Sequence, residues 1–164
     1  MHKGANAPLF LARGLQAFLQ NPTEVGAHRI YDARPSYTSL FTPAQMYVSD
    51  FSDPEDFEEV VAYLELLQAI DTHFDNLLGT KNIQGEEIGE AKVIQLTLED
   101  SAHTITLHKE LFDIGILEAI NKILTNQFQL KESLHLSIDS KMRMIILKLD
   151  REALEMAQRM GLII

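Results

Sequence analysis

The chain has no cysteine in its 164 residues. That one absence removes disulfides, thiolate zinc sites, iron–sulfur clusters and cysteine nucleophiles together. A cysteine-free chain suits a reducing compartment, and a cytoplasmic location is expected. No apolar run approaches the ~20 residues that span a bilayer, so no membrane partner is expected. Near the start, Leu9, Phe10, Leu11 and Ala12 are cut off by Arg13, without the apolar core and cleavage site of a secretory signal. Basic residues are also scarce, with 14 Lys and Arg against 24 Asp and Glu, for a net charge of −10 and a pI near 4.9. Binding along a nucleic-acid backbone needs clustered Lys and Arg, so generic DNA or RNA binding is not expected. There is no GxSxG elbow, no glycine-rich phosphate cradle and no calcium loop. Accordingly no catalytic residue, cofactor or metal is assigned.

The remaining composition is that of a folded globule. With 46% hydrophobic and 23% charged residues, the chain can bury enough apolar surface to escape disorder. Its length predicts one domain over 1–164, with a helix and an irregular segment in 1–52 and the main core in 53–164. The charge is unevenly placed. Residues 1–50 sum to +1 and residues 101–164 to 0, whereas residues 51–100 carry thirteen acids and two bases. Eight of those acids, from Asp53 to Asp75, precede the first base of that block, Lys81. Such a distribution is a statement about partners and solubility rather than about fold.

Periodicity gives the elements. Leu11, Leu15, Phe18 and Leu19 predict a short helix over 8–20, stopped by Asn21 and Pro22. Residues 21–52 are punctuated by Pro22, Gly26, Pro35 and Pro43, with one strand expected over 45–51. Asp53 as N-cap, Pro54 in the first turn and Glu55 and Asp56 near the positive end of the dipole open a long acidic helix, predicted over 54–78 with Gly79 as its stop. A polar loop is expected over 80–90. Ile94, Leu96 and Leu98 alternate with polar residues, as do Ile105 and Leu107, giving one hairpin that turns at Asp100 and Ser101. A helix is predicted over 111–128. Leu134, Leu136 and Ile138 then begin a second hairpin, turning at Asp139 and Ser140 into 142–149. The run from Met144 to Leu147 is apolar on both faces, which marks a central or doubly covered strand. Arg151 to Met160 closes the chain as a helix capped by Asp150 and stopped by Gly161. The order ββα–ββα predicts a two-layer α+β fold, an antiparallel or mixed sheet of about four strands packed against helices.

Three sets of residues could carry function. The acids Asp53, Glu55, Asp56, Glu58 and Glu59 could dock a protein partner with a basic surface, although a solvated helix start carries acids for the dipole alone. The lysines that usually intersperse with acids on a solvated face are missing. Thr104, Thr106, His108, His135 and Ser137 fall on the polar parity of their strands. If those strands are neighbours, they form a weakly charged face that a partner or a second copy of the chain could cover. His28, Arg29, Tyr31, Arg34 and Tyr37 combine the residue types that hold carboxylates, phosphates and interfaces. His73 between Asp71 and Asp75 cannot converge with them on one ion in a helix, because residues two apart face different ways. His103 and His108 have no metal-ligand spacing either.

The expected function is a non-enzymatic interaction module: an acidic adaptor, inhibitor or chaperone-like protein that docks through the acidic helix start and the polar sheet face. Two alternatives remain open at this level. One is a small-ligand enzyme or sensor built on 28–37, with His108 or His135 as base; the other is a structural subunit of a larger or homo-oligomeric assembly.

Overall fold

The computed structural model describes residues 40–49, 53–138 and 143–163. The helix expected over 8–20, the cluster His28, Arg29, Tyr31, Arg34 and Tyr37, and the turn at Asp139 and Ser140 lie outside the described residues. Within them the chain is α+β, with two antiparallel three-stranded sheets. After a single 3-10 turn at Pro43–Gln45 comes strand β1 (Met46–Val48). A second 3-10 segment, Pro54–Glu58, leads into helix α1 (Val60–His73). Strands β2 (Asn82–Ile88), β3 (Ala91–Thr97) and β4 (Ala102–Leu107) follow, then α2 (Gly115–Asn126), β5 (Ser133–Ile138), β6 (Met144–Leu149) and α3 (Arg151–Arg159).

The first sheet is a meander, β2–β3–β4, and the second has the order β1–β6–β5. Both predicted hairpins are present, and a sixth strand appears where the sequence suggested a loop. β2 reads Asn-Ile-Gln-Gly-Glu-Glu-Ile, which carries too little apolar character for periodicity to detect. It pairs with β3 along its whole length, from Asn82 opposite Thr97 to Ile88 opposite Ala91. As an edge strand it borrows its order from β3, and its charges suit an edge that must not recruit further strands.

The single helix expected over 54–78 is two segments, a 3-10 helix and α1, followed by a turn. Asp53 does cap the start, its carboxylate accepting from the Glu55 N–H at 2.9 Å. The backbone then leaves helical geometry at Glu59 (φ −105, ψ 142) before α1 begins. The break places Phe57, fully buried, against Tyr63 and Phe112 at ring distances of 4.8 Å each. Aromatic packing at that range is worth about 1 kcal/mol beyond area burial, which offsets an interrupted helix. α1 ends at His73, and Asp75 and Asn76 both take left-handed backbone (φ 58 and 57) in the turn towards Gly79 (φ 63).

Two cores share β6. On one face Ile146 and Met144 join Leu134 and Leu136 of β5, and this core continues through α1, α2 and the inner faces of β3 and β4. On the other face Ile145, Leu147 and Leu149 pack with Phe41, Ala157 and Leu162 beneath α3. The all-apolar run in the sequence is therefore a central strand covered on both sides. α3 itself is capped as expected, with the Asp150 carboxylate accepting from the Ala153 N–H at 2.9 Å and Gly161 at φ 70 beyond its end.

α1 lies directly on β2. A Cβ added at Gly85 would stand 2.8 Å from Val60 Cγ2 and 3.1 Å from Leu64 Cδ2, so glycine is required for the helix to approach this closely. Further along, Gln68, Asp71 and Thr72 line a cavity of about 430 Å3 together with Asn82 and Ile83. Helix and strand therefore run antiparallel, and the start of α1 sits beside the Glu86 and Glu87 end of β2.

Candidate functional site

That antiparallel docking assembles one acidic end from two stretches of sequence. Asp53, Glu55, Asp56, Glu58 and Glu59 are all exposed, as are Glu86, Glu87 and Glu90 of the β2–β3 hairpin, whose Gly85 lies under the start of α1 while Glu86 faces the other side of the sheet. The described ion pairs lie elsewhere, Lys148 with Glu132 at 4.0 Å and Arg151 with Glu155 at 3.3 Å. Among the described residues no Lys or Arg forms an ion pair with any of these eight acids. Lys92 stands opposite Glu87 in the strand register, yet its buried side chain sends Nζ to the Lys109 carbonyl at 3.4 Å. Nothing in the sequence positions the hairpin acids, because 80–90 is polar and without apolar alternation. Two aliphatic side chains interrupt the charge: Val61, 48% exposed, on the first turn of α1, and Ile88, 56% exposed, at the hairpin tip.

The sheet-face residues divide between two surfaces. Thr104 and Thr106 lie on the exposed outer face of β2–β3–β4, where the Thr104 hydroxyl donates to Gln95 Oε1 at 2.9 Å. His108 follows the end of β4 and is also exposed. His135 and Ser137 belong to the other sheet, because β4 pairs with β3 and β5 with β6. Their register partners are Leu147 and Ile145, so they share the face that α3 covers; Ser137 is 1% exposed. Alternation in β5 was legible, but the presence of a second helical layer over its polar side was not. The outer face of the first sheet remains weakly charged, with Glu86 among Gln84, Gln95, Val93, Thr104 and Thr106.

Among the described residues, His73, His103 and His135 each make local contacts. His73 Nε2 lies 3.0 Å from the Pro43 carbonyl, and its ring packs on Tyr47 at 5.2 Å. His103 Nε2 meets Ser101 Oγ and Gln127 Oε1, both at 3.0 Å. His135 Nε2 meets Ser133 Oγ at 2.6 Å. Among the described residues no group of three His, Asp or Glu side chains is arranged to hold a metal ion, and no helix is long and apolar enough to cross a membrane.

Burial pushes the His135 imidazole below its ordinary value. A histidine whose folded pKa is depressed contributes stability that is intact above about pH 6.5 and declines as the pH falls towards the folded value. Urea unfolding at pH 7.5 and 5.5 should show this loss in the wild type and a smaller one in His135→Gln. Equal losses in both proteins would assign the acid sensitivity to other groups.

Two buried carboxylates that sequence reasoning missed turn out to organise loops. Asp71 accepts from the backbone N–H groups of Leu78 (2.6 Å), Gly79 (3.3 Å) and Thr80 (3.0 Å), closing the turn after α1. Asp113 Oδ2 accepts from the His108 and Lys109 N–H groups at 3.0 and 3.3 Å, and Oδ1 from Gly115 at 2.9 Å. Its own N–H donates to the Tyr63 hydroxyl at 2.7 Å. Burial pushes the Asp113 carboxyl up, but those three N–H donors and the nearby Lys109 charge outweigh it and hold it below its ordinary value. Tyr63 is shifted upwards, chiefly by burial, and stays a neutral phenol. Every acceptor position accounted for here points at backbone, so this is scaffolding for the 108–115 loop. Comparison with protein-family models, with curated proteins and with solved structures finds no match for the chain.

Proposed function

We propose that this chain is a non-enzymatic protein-interaction module that docks on a partner with a basic surface through the acidic end of α1. The supporting observation is that two exposed acidic stretches, 53–59 and 86–90, flank the place where the start of α1 packs on Gly85 of β2, and among the described residues no Lys or Arg is ion-paired to them. The dipole of a helix start accounts for Glu55 and Asp56, but not for the hairpin acids. The cysteine-free sequence suits a cytoplasmic setting for this role.

Exposed acids of this kind raise association rates with a cationic partner and are screened by salt. A pull-down should therefore capture a partner at low salt and release it at high salt. The triple variant Glu55→Lys, Glu58→Lys and Glu59→Lys should weaken that complex about tenfold or more, about 1.4 kcal/mol. A complex indifferent to both salt and charge reversal would overturn the proposal.

A further inference from the structure

The acidic end continues into a groove. Val61, Glu65, Gln68 and Thr72 follow one another at helical spacing along α1, and all four are exposed, so the helix presents one exposed stripe. Beside that stripe, between α1 and β1, lies an open groove of about 490 Å3 lined by Tyr47, Glu65, Gln68, Ala69, Thr72 and His73. Tyr47, His73 and Ala69 give it apolar surface beside the polar Glu65, Gln68 and Thr72. The aromatic wall is held in place, since His73 Nε2 lies 3.0 Å from the Pro43 carbonyl and its ring is tilted against that of Tyr47 at 5.2 Å. A preformed wall lowers the ordering cost of binding.

We infer that this groove is the seat of a cationic amphipathic helix supplied by the partner. The inference rests on the proposed docking function and adds the partner's chemistry to it. Charge selects the occupant: exposed Glu65 lines the groove, the exposed Glu58 and Glu59 immediately precede α1, and among the described residues no Lys or Arg lines the groove. Shape suits a helix, because the ridge of side chains along α1 can pack into the grooves between ridges of another helix. From Val61 to Thr72 the stripe runs about 17 Å, three turns of α-helix. The occupant thus places one or two apolar side chains against Tyr47, Ala69 and His73. Its Lys or Arg residues meet Glu65 and the acidic end.

A dye-labelled Leu/Lys amphipathic peptide of about four turns, and a scrambled peptide of identical composition, provide the probe by fluorescence anisotropy. The wild type should bind the amphipathic peptide about tenfold more tightly than the scramble, a difference of about 1.4 kcal/mol. Thr72→Arg and Ala69→Arg should each abolish that preference; Thr72 is exposed, so its variant should keep the wild-type melting temperature. The Glu55, Glu58 and Glu59 reversal should weaken both peptides alike. If the groove variants keep the preference while the reversal weakens binding, the groove is not the seat and the acidic docking stands alone. If the reversal also has no effect, both fail. A wild-type dimer in sedimentation that Thr72→Arg converts to monomer would assign the groove to a second copy and overturn the inference.

Discussion

Truncating Ile146 to Ala is expected to destabilise the protein by about 4 kcal/mol, and Ile145→Ala by a similar amount. The two residues are adjacent on β6, both are fully buried, and they point into different cores. Ile146 stands between Tyr47 and Leu136 in the register, against the helices of the larger core. Ile145 lies opposite Val48 and Ser137, beneath α3. Each truncation loses three methylene-sized groups' worth of transfer free energy and leaves a cavity that a central strand cannot collapse to fill. For a chain of this length the expected fall in melting temperature is about 10 °C in each case. A cost below about 1 kcal/mol for Ile145→Ala would mean that the α3 layer is not cooperative with the rest.

Asp113→Ala should cost about 3 kcal/mol, more than most single hydrogen-bond deletions, because it leaves three backbone N–H groups of one loop without their acceptor. Asp113→Asn should rescue little. Its one carbonyl oxygen can serve Gly115, or His108 and Lys109, while its amide nitrogen turns a donor towards the other set. The carboxyl is held below its ordinary value in the folded protein. Its contribution is therefore complete above the unfolded value of about 3.9 and is lost as the pH falls through the folded one. Denaturant melts of wild type and Asp113→Ala should accordingly differ most near neutrality and approach each other in acid. A gap that stays constant down to pH 2 would mean that the side chain acts by packing rather than by charge.

Much of this architecture was legible in the residues. The alternation of Ile94 and Leu96, and of Leu134 and Leu136, marks the hairpins because one face of each strand must be apolar. The Met144 to Leu147 run marks a strand with two covered faces. Three things were not legible, each for a physical reason. β2 is polar because an edge strand needs little apolar surface of its own once a neighbour supplies the ladder. The division of the 54–78 helix depends on where Phe57 finds Tyr63 and Phe112, and Phe112 is 55 residues further on. The grouping of hairpins into two sheets is a property of long-range pairing, and it puts His135 and Ser137 on a different sheet from Thr104 and Thr106, opposite Leu147 and Ile145. The acids at 53–59 are visible in sequence; that the start of α1 packs on the end of β2 carrying Glu86 and Glu87 depends on the antiparallel placement of helix on strand.

The pairing of Met46 with Leu147 joins residues roughly 100 positions apart. On the ribosome β1 emerges long before the strand that will receive it, and its Met46 and Val48 side chains have no α3 layer to enter. The β2–β3–β4 meander, by contrast, is built from neighbours in sequence and can close as soon as it is made. Synthesis therefore produces one sheet early and the other last, and the delivery of β6 is the event that commits both halves to a common native state.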